Sequence, residues 1–152
     1  MNLYLECYPD ETLAQSVGVG PRDIIHCHGK GGVAKHLAKR LAVIGLVDED
    51  PGSAEPANLR GFAERSCQYD IRFKVDAQRG NRLLVICPRL EPWLLKTAKS
   101  AGVEMAEFGL SDKLRDLDAE INQRLGNLSR LLKRLAELKS PRLGHLQNLL
   151  TH

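Results

Sequence analysis

The chain has 152 residues, of which 43% are hydrophobic and 27% are charged, and its net charge is +3. This length and composition are typical of one globular domain, and so small a charge does not by itself indicate nucleic-acid binding. No apolar stretch approaches the roughly 20 residues of a membrane span and no signal peptide precedes the four cysteines, so we expect a cytoplasmic protein with reduced thiols and no membrane partner.

Short apolar runs alternate with helical segments through the first 110 residues. We expect strands at 2–6, 23–28, 41–47 and 82–87, an edge strand at 71–75, and helices near 9–18, at 33–40 and from Glu91 onward. Residues 51–61 are rich in Gly, Pro, Ser, Ala and Asn, which is typical of a loop. Strands that alternate with helices in this way predict an α/β fold around a parallel sheet.

Residues 111–152 form a tail of different character. Ser111 is a candidate helix cap, and apolar residues at 121, 125, 128, 132 and 135 predict a helix with one apolar stripe. This tail holds 8 Lys or Arg against 5 Asp or Glu, and Ser140-Pro141 predicts the start of a last helix over 141–150. The stripe is expected to pack on the sheet; a partner helix or a phosphate-facing basic surface are the alternatives.

The acidic tripeptide Asp48-Glu49-Asp50 is the most informative motif of the chain. It follows the apolar run 41–47, which is typical of a strand buried on both faces, and precedes Pro51-Gly52. In open α/β sheets, binding sites lie at the carboxyl ends of such strands. Clustered carboxylates repel one another, and hard oxygen ligands suit Mg²⁺ or Mn²⁺. For the tripeptide alone, an acidic turn without function is the alternative.

Further carboxylates are expected at the same edge of the sheet. Glu6 ends the first strand, Asp10 and Glu11 begin the first helix, and Glu91 follows the strand at 82–87. Carboxylates from three strand ends predict a site for one or two divalent cations. Such cations clamp the attacking and leaving oxygens of a phosphodiester during hydrolysis.

These residues make the chain similar to the Toprim domain, especially the version found in the OLD family of nucleases. The resemblance covers most of residues 2–100. It rests on the segments Leu3-Tyr4-Leu5-Glu6, Cys7-Tyr8-Pro9-Asp10-Glu11, Gly29-Lys30-Gly31-Gly32, Asp48-Glu49-Asp50 and Leu90-Glu91-Pro92-Trp93-Leu94-Leu95. It implies a Rossmann-like three-layer α/β/α fold of Toprim type with a parallel sheet in residues 1–110, to which the tail over 111–152 adds a C-terminal helical extension.

The resemblance also implies roles for individual residues. The implied metal and catalytic residues are Glu6, Asp48 and Asp50 for a first Mg²⁺ or Mn²⁺, and Asp10 or Glu11 with Glu91 for a second. The chain departs from the family at Cys7, where the family usually has Gly. For the catalytic Lys of some relatives, the candidates are Lys30, Lys35 and Lys74.

The segment Gly29-Lys30-Gly31-Gly32 is expected to form a tight turn before the helix at 33–40. Its backbone N–H groups, with the helix dipole behind them, are suited to hold a nucleic-acid phosphate; a plain strand-to-helix turn is the alternative. The segment also looks like the phosphate-binding loop of the MinD and ParA ATPases. Ala34 replaces the late Gly of that loop and His36 replaces its Ser or Thr, which argues against nucleotide hydrolysis.

Two hypotheses on function follow. The first is a divalent-metal-dependent phosphodiesterase or nuclease that acts on DNA or RNA. The second is a non-catalytic Toprim-like subunit or effector that binds a partner protein, such as an ATPase, or a second copy of itself through residues 121–135. OLD-type Toprim domains are usually fused to an ATPase, and this chain contains none.

Overall fold

One six-stranded sheet forms the centre of the protein, whose computed structural model describes all residues from Met1 to His152. The strands are β1 (Leu3–Leu5), β2 (Ile24–His26), β3 (Ile44–Asp48), β4 (Ala63–Gln68), β5 (Ile71–Asp76) and β6 (Asn81–Ile86). The helices are α1 (Tyr8–Ser16), α2 (Gly29–Lys39), α3 (Leu90–Ser100), α4 (Leu114–Glu120), α5 (Leu125–Glu137) and α6 (Pro141–Thr151). Short 3-10 turns occur at Pro21–Asp23, Ala57–Leu59, Met105–Phe108 and Ile121–Gln123. No helix has the length and hydrophobicity that crossing a membrane requires.

The sheet is mixed, with strand order β2-β1-β3-β6-β5-β4. The first three strands and β6 run parallel, as predicted, whereas β5 is antiparallel to both of its neighbours. The prediction of a wholly parallel sheet is therefore wrong for the part of the sheet that contains β4 and β5. Antiparallel neighbours need only a short turn, and two residues, Tyr69 and Asp70, join β4 to β5. The predicted edge strand at 71–75 lies one position inside, because the largely exposed, polar strand β4 covers it.

Helices cover both faces of the sheet because successive strand residues point in opposite directions. Leu3 and Leu5 belong to a large core that includes residues of α1, α3, α4, α5 and α6. Tyr4 belongs to a smaller core on the other face, formed with α2. Helix α2 lies directly on β3 at Gly45, where an added Cβ would come within 2.9 Å of Leu37 Cδ1.

The C-terminal helices share the large core with the sheet. Leu128, Leu132 and Leu135 of the apolar stripe are fully buried there, and α5 contacts α1. A partner that binds residues 121–135 therefore meets the exposed basic face of α5, which includes Lys133 and Arg134, rather than the stripe. Helix α4 begins three residues after Ser111, whose hydroxyl accepts a hydrogen bond from the Lys113 backbone N–H at 3.1 Å.

Candidate functional site

Four carboxyl groups come together at the carboxyl ends of the central parallel strands. We call Glu6, Asp10, Asp48 and Glu91 the acidic cluster. The register that pairs Leu5 with Leu46 brings the end of β1 beside β3. There the Asp48 backbone N–H donates to Glu6 Oε2 at 2.9 Å. The charges of Asp10, Glu6 and Glu91 all raise the pKa of Asp48, which places the four groups within electrostatic reach of one another.

Asp10 and Asp48 are the most deeply placed members of the acidic cluster. Asp10 is 1% exposed; its Oδ2 accepts a hydrogen bond from the Cys7 thiol at 3.2 Å, and its Oδ1 is buried without a partner. The Oδ1 atom of Asp48 is also buried and unpartnered. Burial, reinforced by the neighbouring carboxylates, raises the pKa of Asp10 to about 7 and that of Asp48 to about 8. The buried pair therefore needs a proton or a cation at neutral pH.

The effects of the surroundings on the pKa of Glu6 partly offset one another. Burial raises the pKa of Glu6, while the Asp48 backbone N–H and the charge of Lys30 lower it. The Lys30 ammonium also donates to the Glu49 carbonyl oxygen at 2.9 Å, so this lysine bridges α2 and the residue that follows β3. Lys30 is thus the candidate lysine that the fold brings to the acidic cluster.

Arg89 is a neighbour of the acidic cluster that the sequence patterns did not single out. Its guanidinium lies 3.4 Å from Glu91 Oε2 and binds Asp118 of α4 through two hydrogen bonds, of 2.5 and 3.0 Å. Those contacts, with a smaller contribution from Asp48, raise the pKa of Arg89. The sequence feature that could have indicated Arg89 is its position just before α3, two residues from Glu91. Its partner Asp118 lies too far along the chain for the contact to be inferred from sequence.

Two predicted site residues lie outside the acidic cluster. The Glu11 carboxylate contacts His26 Nε2 at 2.5 Å and accepts a hydrogen bond from Gln15, so Asp10 is the residue of this pair that joins the cluster. Asp50 is exposed and adopts a left-handed backbone with a φ of 47°. Its charge still contributes to the raised pKa of Glu6, which places it at the rim of the cluster.

The predicted phosphate-binding segment is not a separate turn. Residues Gly29, Lys30, Gly31 and Gly32 form the first turn of α2, so the expectation of a tight turn before residue 33 is wrong. Gly32 has a packing role, because a Cβ there would lie 3.1 Å from Cys27 Cβ. Beside Gly29 and Gly31 there is open space, and phosphate binding by their N–H groups stays a prediction.

Cys7 has an ordinary backbone conformation, although the resemblance to Toprim domains would lead one to expect glycine at this position. Its φ of −148° and ψ of 170° describe extended backbone that any residue adopts. Its side chain instead donates to Asp10, and burial, reinforced by the Asp10 charge, raises the pKa of the thiol. Cys7 is therefore a neutral hydrogen-bond donor to the acidic cluster.

The side chains of the cluster are not arranged as a ready-made metal site, since no group of three or more His, Cys, Asp or Glu residues is placed to hold a metal ion. The donor chemistry nevertheless fits Mg²⁺ or Mn²⁺. These ions take oxygen ligands, and Mg²⁺ usually binds through one or two carboxylates and retains several waters. The unpartnered oxygens of Asp10 and Asp48 meet that requirement.

Comparison with known proteins gives no relative. No protein-family model matches the chain, and no curated protein sequence or solved structure matches it either. The likeness to Toprim domains therefore rests on the short motifs quoted above, and the geometry of the acidic cluster is the independent evidence on function.

Proposed function

We propose that this protein is a divalent-metal-dependent phosphodiesterase that cuts DNA or RNA, and that its fold is the Rossmann-like three-layer arrangement of Toprim type. One observation carries the proposal. Asp10 is buried and Asp48 is half-buried, each has a buried oxygen without a hydrogen-bond partner, and the charge of Asp10 raises the pKa of Asp48, although a fold gains no stability from repelling carboxylates. Functional sites are where proteins retain such unfavourable arrangements.

Each member of the acidic cluster has a role in this proposal. Glu6, Asp48 and Asp50 hold a first Mg²⁺ or Mn²⁺, and Asp10 with Glu91 contributes to a second. A divalent cation, when bound, supplies Lewis acidity toward a phosphoryl oxygen. Glu11, which is paired with His26, has no role in catalysis.

The cationic side chains beside the cluster complete the proposed site. Lys30 belongs to α2 and Arg89 precedes α3, and each is oriented by a contact to another part of the chain: Lys30 to the Glu49 carbonyl, Arg89 to Asp118. Positively charged groups fixed in this way are suited to orient a phosphodiester and to stabilise the charge that develops on it.

A second candidate function is supported by a different observation. The raised pKa values of Asp10 and Asp48 allow the pair to retain a proton near neutral pH without any metal. In that case the protein is a non-catalytic subunit, and the exposed basic face of α5 at Lys133 and Arg134 is the surface that meets a partner protein such as an ATPase.

A cleavage assay with matched variants tests the first proposal. Supercoiled plasmid and single-stranded RNA are incubated with the wild type, Asp48→Asn and Glu11→Gln in Mg²⁺, Mn²⁺ or EDTA. We expect the wild type and Glu11→Gln to cut one of the substrates with a divalent ion only, and Asp48→Asn to lose at least about a hundredfold in rate.

Thermal melting of the three proteins provides the control for folding. Cutting by Asp48→Asn at the wild-type rate would contradict the assignment of the acidic cluster as the active site. The absence of cutting by the wild type on either substrate with either ion would favour the non-catalytic function.

A further inference from the structure

A small cavity adjoins the acidic edge on the face of the sheet that carries α2. Its volume is about 190 Å³, which is several times the roughly 30 Å³ that one water molecule occupies in the liquid. Three cationic side chains line it: Lys30 from α2, and Arg72 and Lys74 from β5. We call it the cationic cavity.

The strand register explains how these charges reach a partly covered position. Arg72 pairs with Val85 and Lys74 pairs with Leu83, and both apolar partners belong to the core on the α2 face. Helix α2 covers β1 and β3 on this face. Over β5 and β6 the cavity is lined instead by the loop after β3, through Glu49, Ser53, Glu55 and Leu59. The fully buried Leu59 anchors this loop.

The cations of the cavity are incompletely paired within the protein. Arg72 Nε lies 3.4 Å from Glu49 Oε2, beyond good hydrogen-bond geometry, and is buried without a hydrogen-bond partner. Lys74, whose side chain is 17% exposed, has its ammonium 3.9 Å from Glu55. Arg72 also donates to Glu64 Oε1 at 3.5 Å. Such long contacts between partly exposed groups contribute little stability, so an incoming anion can displace Glu49 and Glu55.

The position of the cavity relates it to the acidic cluster. Lys30 lines the cavity, and its ammonium donates to the carbonyl oxygen of Glu49, the residue that follows Asp48, at 2.9 Å. Asp48 pairs with Ile86, and Ile86 pairs with Ile71, the neighbour of Arg72. Two strand spacings, about 10 Å, therefore separate the end of β3 from the start of β5.

We propose that the cationic cavity binds a phosphate group of a nucleic-acid strand whose neighbouring phosphate lies at the acidic cluster. This inference rests on the proposed phosphodiesterase function. Arg72 supplies a planar guanidinium suited to two phosphate oxygens, and Lys30 and Lys74 supply point charges. Glu49 and Glu55 occupy the position of the phosphate in the free protein and leave it when the strand binds.

Binding measured without catalysis tests this inference separately from cleavage. A fluorescent single-stranded oligonucleotide is titrated in EDTA at low salt with the wild type, Arg72→Gln/Lys74→Gln, and Lys133→Gln/Arg134→Gln. The last variant makes the same change of charge on the exposed face of α5. We expect the cavity variant to bind about tenfold more weakly, with the slope of log K against log salt reduced by about 0.7, as for one phosphate that is no longer neutralised. The α5 variant is expected to bind as the wild type does.

Further measurements distinguish a loss of binding from a loss of folding, and a nucleic-acid ligand from a free anion. Arg72→Lys/Lys74→Arg keeps both charges and is expected to restore most of the binding, which a variant that fails through unfolding would not predict. Equal binding by the wild type and Arg72→Gln/Lys74→Gln would overturn the inference, and so would loss of binding in the α5 variant alone. Unlabelled oligonucleotide and inorganic phosphate are also compared as competitors. Equal competition by the two at the same phosphate concentration would overturn the inference, because the ligand would then be a free anion.

The same variants distinguish the two proposals. Metal-dependent cutting together with cavity-independent binding would overturn the inference and leave the proposed function intact. Cavity-dependent binding without cutting under any condition would support the inference and contradict the phosphodiesterase function.

Discussion

The backbone N–H of Asp48 donates to the Glu6 carboxylate at 2.9 Å, and this bond joins the ends of two parallel strands at the acidic cluster. It satisfies one oxygen of Glu6, but the Asp48 side chain keeps a buried oxygen without a hydrogen-bond partner, and the charges of Asp10, Glu6 and Glu91 all raise its pKa. The arrangement is therefore stabilised by its backbone and destabilised by its side chains. Four predictions on the fold and the site follow from the repulsion among these side chains or from the elements that hold them in place.

The first prediction concerns the pH dependence of stability. An aspartate whose pKa is raised by folding retains a proton that the unfolded chain has lost. Between the unfolded value near 4 and the folded values of about 7 for Asp10 and about 8 for Asp48, rising pH therefore lowers the free energy of unfolding. In EDTA we expect a higher melting temperature at pH 5.5 than at pH 8.5, measured by circular dichroism. The lowered pKa of Asp70, caused by Lys96 and Arg142, acts below about pH 4 and so outside this range. The lowered pKa of His145, caused by burial, acts in the opposite sense within the range and is outweighed by the larger shifts of the two aspartates.

A melting temperature that is equal at the two pH values, or higher at pH 8.5, would show that the acidic cluster is not strained. Asp48→Asn is the control, since it should remove most of the difference in melting temperature between pH 5.5 and pH 8.5.

The second prediction is that removing a charge from the cluster stabilises the fold. At pH 8, Asp48→Asn should raise the free energy of unfolding by about 1–2 kcal/mol, because it removes a repelling carboxylate and its amide can donate to a neighbouring one. That change corresponds to roughly 2–8 °C in melting temperature for a protein of this size. At pH 5 the gain should be smaller, because the wild-type side chain is then protonated.

Glu11→Gln is the matched comparison for this prediction. Glu11 is close in sequence but pairs with His26, so its substitution should lower stability slightly or leave it unchanged. Stabilisation by Glu11→Gln equal to that by Asp48→Asn would indicate a general effect of net charge rather than local repulsion.

Part of this site could be predicted from the sequence, for a physical reason. Glu6, Asp48 and Glu91 follow apolar strands, and the carboxyl ends of parallel strands meet at one edge whatever the side chains between them. The choice of Asp10 over Glu11 could not be predicted, because it depends on the angle at which α1 leaves β1 and on the position of His26. Arg89 escaped notice because Asp118, which orients it, is 29 residues away.

The fold was predicted least well where its pattern is least periodic. Strand β4 has the sequence Ala-Glu-Arg-Ser-Cys-Gln, which lacks apolar alternation because neither face of this edge strand is buried and its register shifts at Glu64. The helix start at Gly29 was missed for a similar reason, since three glycines in the first turn disfavour a helix intrinsically. Packing of Gly32 against Cys27 and of α2 on β3 overrides that preference.

The third prediction concerns Arg89 as a positioning residue. Asp118→Asn removes one charge of a pair in which both side chains are 34% exposed, so stability should fall by no more than about 1 kcal/mol. If Arg89 orients a phosphodiester, the same variant should lower kcat more than it raises KM in the cleavage assay. An unchanged kcat in Asp118→Asn would assign the pair a role only in docking α4.

The fourth prediction distinguishes packing from assembly in the C-terminal helices. Leu128 is fully buried in the large core, so Leu128→Ala should lower the free energy of unfolding by about 2–5 kcal/mol. Because its side chain faces the interior of its own chain, the substitution should leave the sedimentation coefficient of the folded protein unchanged. A shift from dimer to monomer without loss of stability would contradict the packing described here and support assembly through residues 121–135.

Binding of Mn²⁺ is the most direct test of the claim that the acidic cluster holds a divalent cation. Calorimetric titration at pH 8 should show saturable binding by the wild type and by Glu11→Gln, and a loss of at least about tenfold in affinity for Asp48→Asn and Asp10→Asn. The affinity of the wild type should fall at pH 6, because protons then compete for the buried carboxylates. Equal affinity for Mn²⁺ in the wild type and in both aspartate variants, or no binding at all, would contradict the account.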